Sequence, residues 1–186
     1  MYINKLETVM TDIGEKAVVA SRRLAGLDTT IKNRCLESIA LSLERNSSKI
    51  FEENFKDVNI AKTSSKPASF IDRLSLNDSR FDSIINGIRQ IISLEDPVGR
   101  ILEINKRPNG LEIKKISVPI GVVGIIYESR PNVTIDSACL NIKTGNAVIL
   151  RCGSESINTS IAMMNAIKEG CLNAGVEQSC VQLIPV

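Results

Sequence analysis

Two short stretches bring together residue types that can hold an anion: Tyr127-Glu128-Ser129-Arg130-Pro131-Asn132 and Arg151-Cys152-Gly153-Ser154-Glu155. Each follows a short apolar run, Val122 to Ile126 in one case and Ala147 to Leu150 in the other. Each also precedes a stretch whose apolar residues recur at helical spacing. In open α/β arrangements ligands bind beyond the carboxyl ends of the strands. There the free N–H groups and dipole of a helix start favour negative charge. An arginine at two such equivalent places points to a phosphate or carboxylate ligand, because a guanidinium grips these groups through paired hydrogen bonds. For either arginine alone, a solvated surface position is the plain alternative.

Other chemistries are excluded by composition. The 186 residues contain no histidine, which removes imidazole bases, Ser-His triads and histidine metal sites. Five cysteines, Cys35, Cys139, Cys152, Cys171 and Cys180, form no CxxC pair, and their odd number argues against a disulfide framework. No metal site is expected. GxGxxG and the GxxxxGK[ST] loop are both absent. Gly121 and Gly124 in GVVG are a weak signal, since glycine in a buried strand often only permits close backbone approach. A net charge of +2, from 23 basic and 21 acidic residues, gives no electrostatic footprint for nucleic acid. The longest apolar stretch, Val118 to Tyr127, is interrupted by Pro119 and two glycines and is too short to span a bilayer. The opening MYINKLETVM lacks a signal-peptide core, so a cytoplasmic location is expected.

The elements that must position these stretches divide the chain in three. Over residues 1–100 the spacing predicts helices. Leu6, Val9/Met10, Ile13, Ala17, Ala20 and Leu24 form one stripe; Asp28 caps a second helix with Ile31, Cys35, Ile39 and Leu43. Ser47 caps a third with Phe51, Phe55 and Val58. Thr63 to Pro67 reads as a loop, and Asn77 or Asp78 opens a fourth helix through Phe81, Ile84/Ile85, Ile88 and Ile91/Ile92. Residues 101–118 alternate about Asn109-Gly110, a hairpin signal. Residues 119–186 read strand, helix, strand, helix, strand, with Pro131 opening one helix and Gly145 and Gly175 closing the two. Short connections imply parallel strands and right-handed crossovers. The expected fold is α/β: an N-terminal helical bundle, a β-hairpin and an incomplete Rossmann-like parallel sheet.

VPIGVVGIIYESRPNVT followed by KTGNAVILRCGSE resembles the γ-glutamyl phosphate reductase (glutamate-5-semialdehyde dehydrogenase) family of the aldehyde dehydrogenase superfamily. The likeness extends upstream through ENFKDV, DRLSL and DPVG, and covers nearly the whole chain. It implies an aldehyde dehydrogenase type of sheet and NADPH-dependent reduction of γ-glutamyl phosphate to glutamate 5-semialdehyde in proline biosynthesis, through a thioester on a cysteine. It also assigns the 101–118 hairpin to the oligomerisation region. In superfamily relatives the strand after that hairpin's first neighbour ends in a lysine that grips the adenosine ribose, often with a glutamate three residues on. Arg151 and Ser154 take those two positions here, a pair suited to the 2′-phosphate of NADP(H). A shift of one residue would place Glu155 there instead, an acid that repels it. Arg130 and Asn132 match the family motif as anchors for the substrate's carboxylate or acyl phosphate. Ser129 aligns roughly with an asparagine that stabilises the oxyanion in relatives.

Two departures matter. The family carries paired glycines after the arginine, where Cys152 replaces the first. The family's catalytic cysteine and its pyrophosphate loop correspond to positions beyond Val186, so no catalytic residue is assigned within the chain. Cys152 lies near a helix start and Arg151, which favours a thiolate, yet it falls on the cofactor side with no base beside it. The expectation is a chain inactive alone, which self-associates or joins a missing C-terminal half. The alternatives are a non-catalytic remnant and one half of a split enzyme.

Overall fold

A computed structural model describes residues 2–185. Five helices come first: α1 (Tyr2–Ala25), α2 (Thr29–Arg45), α3 (Ser47–Thr63), α4 (Ala68–Leu74) and α5 (Asp78–Ser93). Two of the expected caps form. The Asp28 carboxylate accepts the Ile31 N–H at 2.8 Å, and Asn77 Oδ1 accepts the Arg80 N–H at 2.8 Å. Ser47 is not a cap. It is the first helical residue of α3, and Asn46 alone separates α2 from α3. Asn46 turns its amide back to the Ser42 carbonyl, closing α2 instead of opening α3.

The buried face of α3 also differs from the expected stripe. It consists of Ile50, Asn54, Asp57, Val58 and Ala61, whereas Phe55 is 66% exposed. The fourth helix in the chain, α4, lies where no helix was expected. Its Leu74 packs with Val58 and Ala61 in a small cluster of its own.

The hairpin pairs β1 (Ile101–Lys106) with β2 (Glu112–Ile116), antiparallel. Arg107 N–H donates to the Leu111 carbonyl at 2.8 Å, and Gly110 takes φ +83°. A three-residue loop therefore closes it, and glycine supplies the left-handed residue such a loop requires. Every side chain of both strands is exposed. Asp96 anchors the hairpin's base to the helices: it pairs with Lys32, which is 1% exposed, and accepts from Thr29 Oγ1 and from the Val98 N–H. Burial pushes the Asp96 carboxyl up, but these partners outweigh it and hold it below its ordinary range.

The remaining strands are β3 (Val122–Ile126), β4 (Ala147–Arg151) and β5 (Val181–Leu183), parallel and in the order β3-β4-β5. The helices α6 (Pro131–Lys143) and α7 (Ile157–Asn173) connect them. Gly145 and Gly175, at φ +71° and +72°, end the two helices as expected. The central strand is the most enclosed, with Ala147, Val148 and Leu150 fully buried. Helix α1 packs against all three strands, and α2 against α5, α6 and α7. At the α2–α7 crossing the backbones nearly touch: a Cβ on Gly170 would lie 2.6 Å from Ile39 Cα. Among the described residues no helix is long and apolar enough to cross a membrane.

Candidate functional site

The two stretches singled out above sit side by side at the carboxyl ends of β3 and β4. Strand pairing puts Ile126 opposite Arg151, and the Tyr127 N–H bonds the Arg151 carbonyl at 3.0 Å. The β3–α6 loop then crosses over Gly153. A Cβ at that position would collide with Ser129 Oγ, so the glycine in the β4–α7 turn is needed for close approach and not for its dihedrals.

Glu155 joins the loops. Its carboxylate accepts from Ser129 Oγ at 3.3 Å, from Ser154 Oγ at 3.3 Å and from Lys66 Nζ at 2.6 Å. The ammonium of Lys66, together with the residue's own N–H, pulls the Glu155 carboxyl down to about 2. Glu155 is therefore an ionised, internally matched group whose charge Lys66 neutralises. Arg151 is half-buried, and its guanidinium has no ion pair among the described residues. Ser154 is exposed beside it.

Only one of the two helix starts is open as expected. That of α7 is filled by the protein itself. Asp57 of α3, 2% exposed, accepts from the Thr159 N–H at 2.8 Å, from Thr159 Oγ1 at 2.6 Å and from Asn158 Nδ2 at 2.8 Å. A carboxylate from elsewhere in the chain occupies the place an incoming anion would take. One turn earlier on α3, Asn54 holds the α4–α5 connection. It donates to the Leu74 carbonyl at 2.9 Å and accepts the Leu76 N–H at 2.8 Å. Both residues belong to the ENFKDV stretch, and they are its buried polar members.

Nor are the two arginines equivalent. Arg151 ends β4, but Arg130 lies beyond β3 as the N-cap residue of α6. It lines a different space, a cleft of about 360 Å³ between α4, α5 and the start of α6. Asn132 lines the same cleft and donates to Asp136 Oδ2 at 3.1 Å. Arg73 of the DRLSL stretch and Arg80 of α5 line it as well. Arg80 is engaged with the Asp72 carboxylate and the Ser75 carbonyl. The structure thus separates the six candidates into two groups: Ser129, Arg151, Ser154 and Glu155 at the strand ends, and Arg130 and Asn132 in the cleft.

All five cysteines are fully buried. Burial raises the Cys139 thiol, and a hydrogen bond with Cys171 raises Cys35. Cys152 has no solvent-facing surface through which to attack a substrate. Among the described residues no group of three or more His, Cys, Asp and Glu side chains is placed to hold a metal ion.

No protein-family model matches the chain. Solved structures do. The γ-glutamyl phosphate reductase of Thermotoga maritima is 38% identical, with a TM-score of 0.92 over 94% of this chain and 42% of that one. The γ-glutamyl phosphate reductase of Saccharomyces cerevisiae is 32% identical, with a TM-score of 0.89 over 93% of this chain and 45% of that one. An acetylating aldehyde dehydrogenase of Geobacillus thermoglucosidasius is 15% identical, with a TM-score of 0.65 over 98% of this chain and 37% of that one. The last likeness is one of fold alone. The chain spans less than half the length of each of these proteins.

Proposed function

We propose, for a chain that belongs in sequence and fold to the γ-glutamyl phosphate reductase family over the part of that family's length it spans, that residues 1–186 supply the NADP(H) and substrate contacts of such a reductase. The reaction is reduction of γ-glutamyl phosphate to glutamate 5-semialdehyde with release of phosphate. The observation that carries the reading is the state of the β4–α7 turn. Among the described residues Arg151 has no ion-pair partner, while Glu155 of the same turn is neutralised by Lys66. A turn with an uncommitted cation, an exposed hydroxyl and a quenched acid fits the 2′-phosphate of NADP(H).

The residues divide the work. Arg151 and Ser154 hold the 2′-phosphate through charge-assisted and neutral hydrogen bonds. Glu155 and Lys66 fix the turn, and Ser129 ties it to the neighbouring loop and, by the resemblance, faces the reacting carbonyl. Arg130 and Asn132 anchor the substrate. NADPH, when bound, supplies the hydride. The thiol that forms the thioester comes from outside these residues, since all five cysteines here are buried. Self-association through the exposed 101–118 hairpin completes the reading.

Calorimetry with NADP and NAD on the 186-residue chain tests it. NADP binds more tightly, and Arg151→Ala removes most of that preference, costing about 1.5–3 kcal/mol or roughly one to two orders of magnitude in Kd. Equal affinity for the two cofactors in the unmutated chain overturns the assignment.

A further inference from the structure

We propose that Lys66, in the connection between α3 and α4, is a specificity-determining residue: by holding the Glu155 carboxylate in an ion pair it keeps that acid from repelling a 2′-phosphate and from accepting a ribose 2′-hydroxyl. This rests on the reading of Ser154 and Arg151 as 2′-phosphate contacts, and it assigns the selectivity of that site to a residue 89 positions from the acid it controls.

The backbone is bent to deliver this lysine. At the end of α3 the Ser65 N–H bonds the Lys62 carbonyl at 3.1 Å, and the Lys66 N–H bonds the Ala61 carbonyl at 3.2 Å. Such a helix end requires a left-handed residue, usually glycine. Here Ser65 takes that place at φ +54°, the one non-glycine residue with a positive φ among the described residues. A side chain disfavours this conformation, so the turn is held by what surrounds it. Pro67 then leads into α4, and the Lys66 ammonium lies 5.2 Å over the ring of Phe70, which itself packs on the Leu74 cluster. From there Nζ reaches Glu155 Oε1 at 2.6 Å.

Among the described residues Lys66 is the one cation paired with Glu155. The other carboxylate oxygen receives only the hydroxyls of Ser129 and Ser154, each at 3.3 Å. That second contact fixes the geometry of selection: an anion held by the Ser154 hydroxyl lies next to the Glu155 carboxylate. Both members of the ion pair are partly withdrawn from water, with side chains 36% and 27% exposed, so the charge of either is felt more strongly than on an open surface. With Lys66 in place the acid is quenched and a 2′-phosphate is tolerated. Without it the same carboxylate repels the phosphate and accepts a 2′-hydroxyl, the interaction by which dinucleotide folds select NAD.

Calorimetry on the 186-residue chain with adenosine 2′,5′-bisphosphate and 5′-AMP as probes tests this, because the two differ only in the 2′-phosphate. The parent prefers the bisphosphate. Lys66→Gln lowers the affinity ratio by about tenfold or more, and Lys66→Arg keeps it. In Lys66→Gln with Glu155→Gln the ratio returns to near the parent's, since no acid is left to neutralise. A Lys66→Gln variant that melts at a lower temperature but keeps the ratio shows a merely structural ion pair; it overturns the inference and leaves the 2′-phosphate reading standing. A ratio that falls as far in the Glu155→Gln background shows Lys66 gripping the phosphate itself, and overturns the neutralising role. Equal binding of the two probes by the parent, or binding of neither, overturns both readings.

Discussion

Gly170→Ala is a substitution for which two rules give opposite signs. Gly170 lies inside α7, where alanine is the better helix former by about 1 kcal/mol. Burying the added methyl contributes about 0.8 kcal/mol more. Against this, the new Cβ would sit 2.6 Å from Ile39 Cα and 2.7 Å from Ile39 N, both backbone atoms of α2. Carbon atoms rest at about 3.5–4.0 Å, so the two helices must part by about 1 Å. A gap of that order forfeits at least a quarter of each contact's well. For two leucine-sized side chains at the crossing, that amounts to about 2–6 kcal/mol. The steric term wins, and the expected net loss is about 2–3 kcal/mol, or roughly 5–10 °C in Tm for a chain of this size.

Urea unfolding followed by circular dichroism, with linear extrapolation, reads this directly. Gly14→Ala is the matched control: it is also a helical glycine, but nothing lies within 4 Å of its added Cβ, so it stabilises by about 0.5–1 kcal/mol. If Gly170→Ala proves as stable as the parent, the close crossing of α2 and α7 does not exist as described.

Three further outcomes are expected. Asp57→Ala removes the acceptor for two side chains and a backbone N–H at the start of α7 and costs about 2–4 kcal/mol, with Asp57→Asn costing less; a loss under about 1 kcal/mol in urea would count against the buried cap. The Glu155 carboxyl is lowered in the folded chain from 4.5 to about 2, so its contribution to stability is fully present above pH 4.5 and is lost as pH falls through 2. The stability gap between parent and Glu155→Gln therefore narrows across that acid range, and a gap independent of pH refutes the Lys66 pairing. Light scattering finds association that rises with concentration and weakens in Ile104→Lys with Ile113→Lys, because both faces of the hairpin expose isoleucine or leucine; a monomer at every concentration argues otherwise.

What the sequence revealed was local. Asp28 and Asn77 cap helices three residues away, Gly145 and Gly175 end them, and Asn109-Gly110 marks the hairpin, all through contacts within a few residues. The misreadings have long-range causes. Lys66 read as part of a polar loop, yet its partner Glu155 is 89 residues away. Asn54 and Asp57 fall outside a hydrophobic stripe, but they are buried because α7 and the α4–α5 connection need their side chains. Phe55 was counted inward on apolar character alone, and the polar residue before it took the inward position. The ENFKDV stretch was legible as a resemblance; its task was not, because α4 itself was missed. Arg130 and Arg151 stand out in the sequence by type and place, while their separation into two spaces depends on how the loop crosses Gly153.

The Asp57–Thr159 contact has a consequence in time. Its partners are 102 residues apart, whereas β3, β4 and β5 pair in chain order through successive crossovers. Closing so large a loop costs chain entropy before any bond repays it. The sheet and its helices can assemble while the β4–α7 turn still lacks its cap, and α3 docks afterwards. Loss of that late contact accelerates unfolding and leaves the refolding rate nearly untouched. The β4–α7 turn is thus completed last and released first, so anything that bound it would act as a brake on opening.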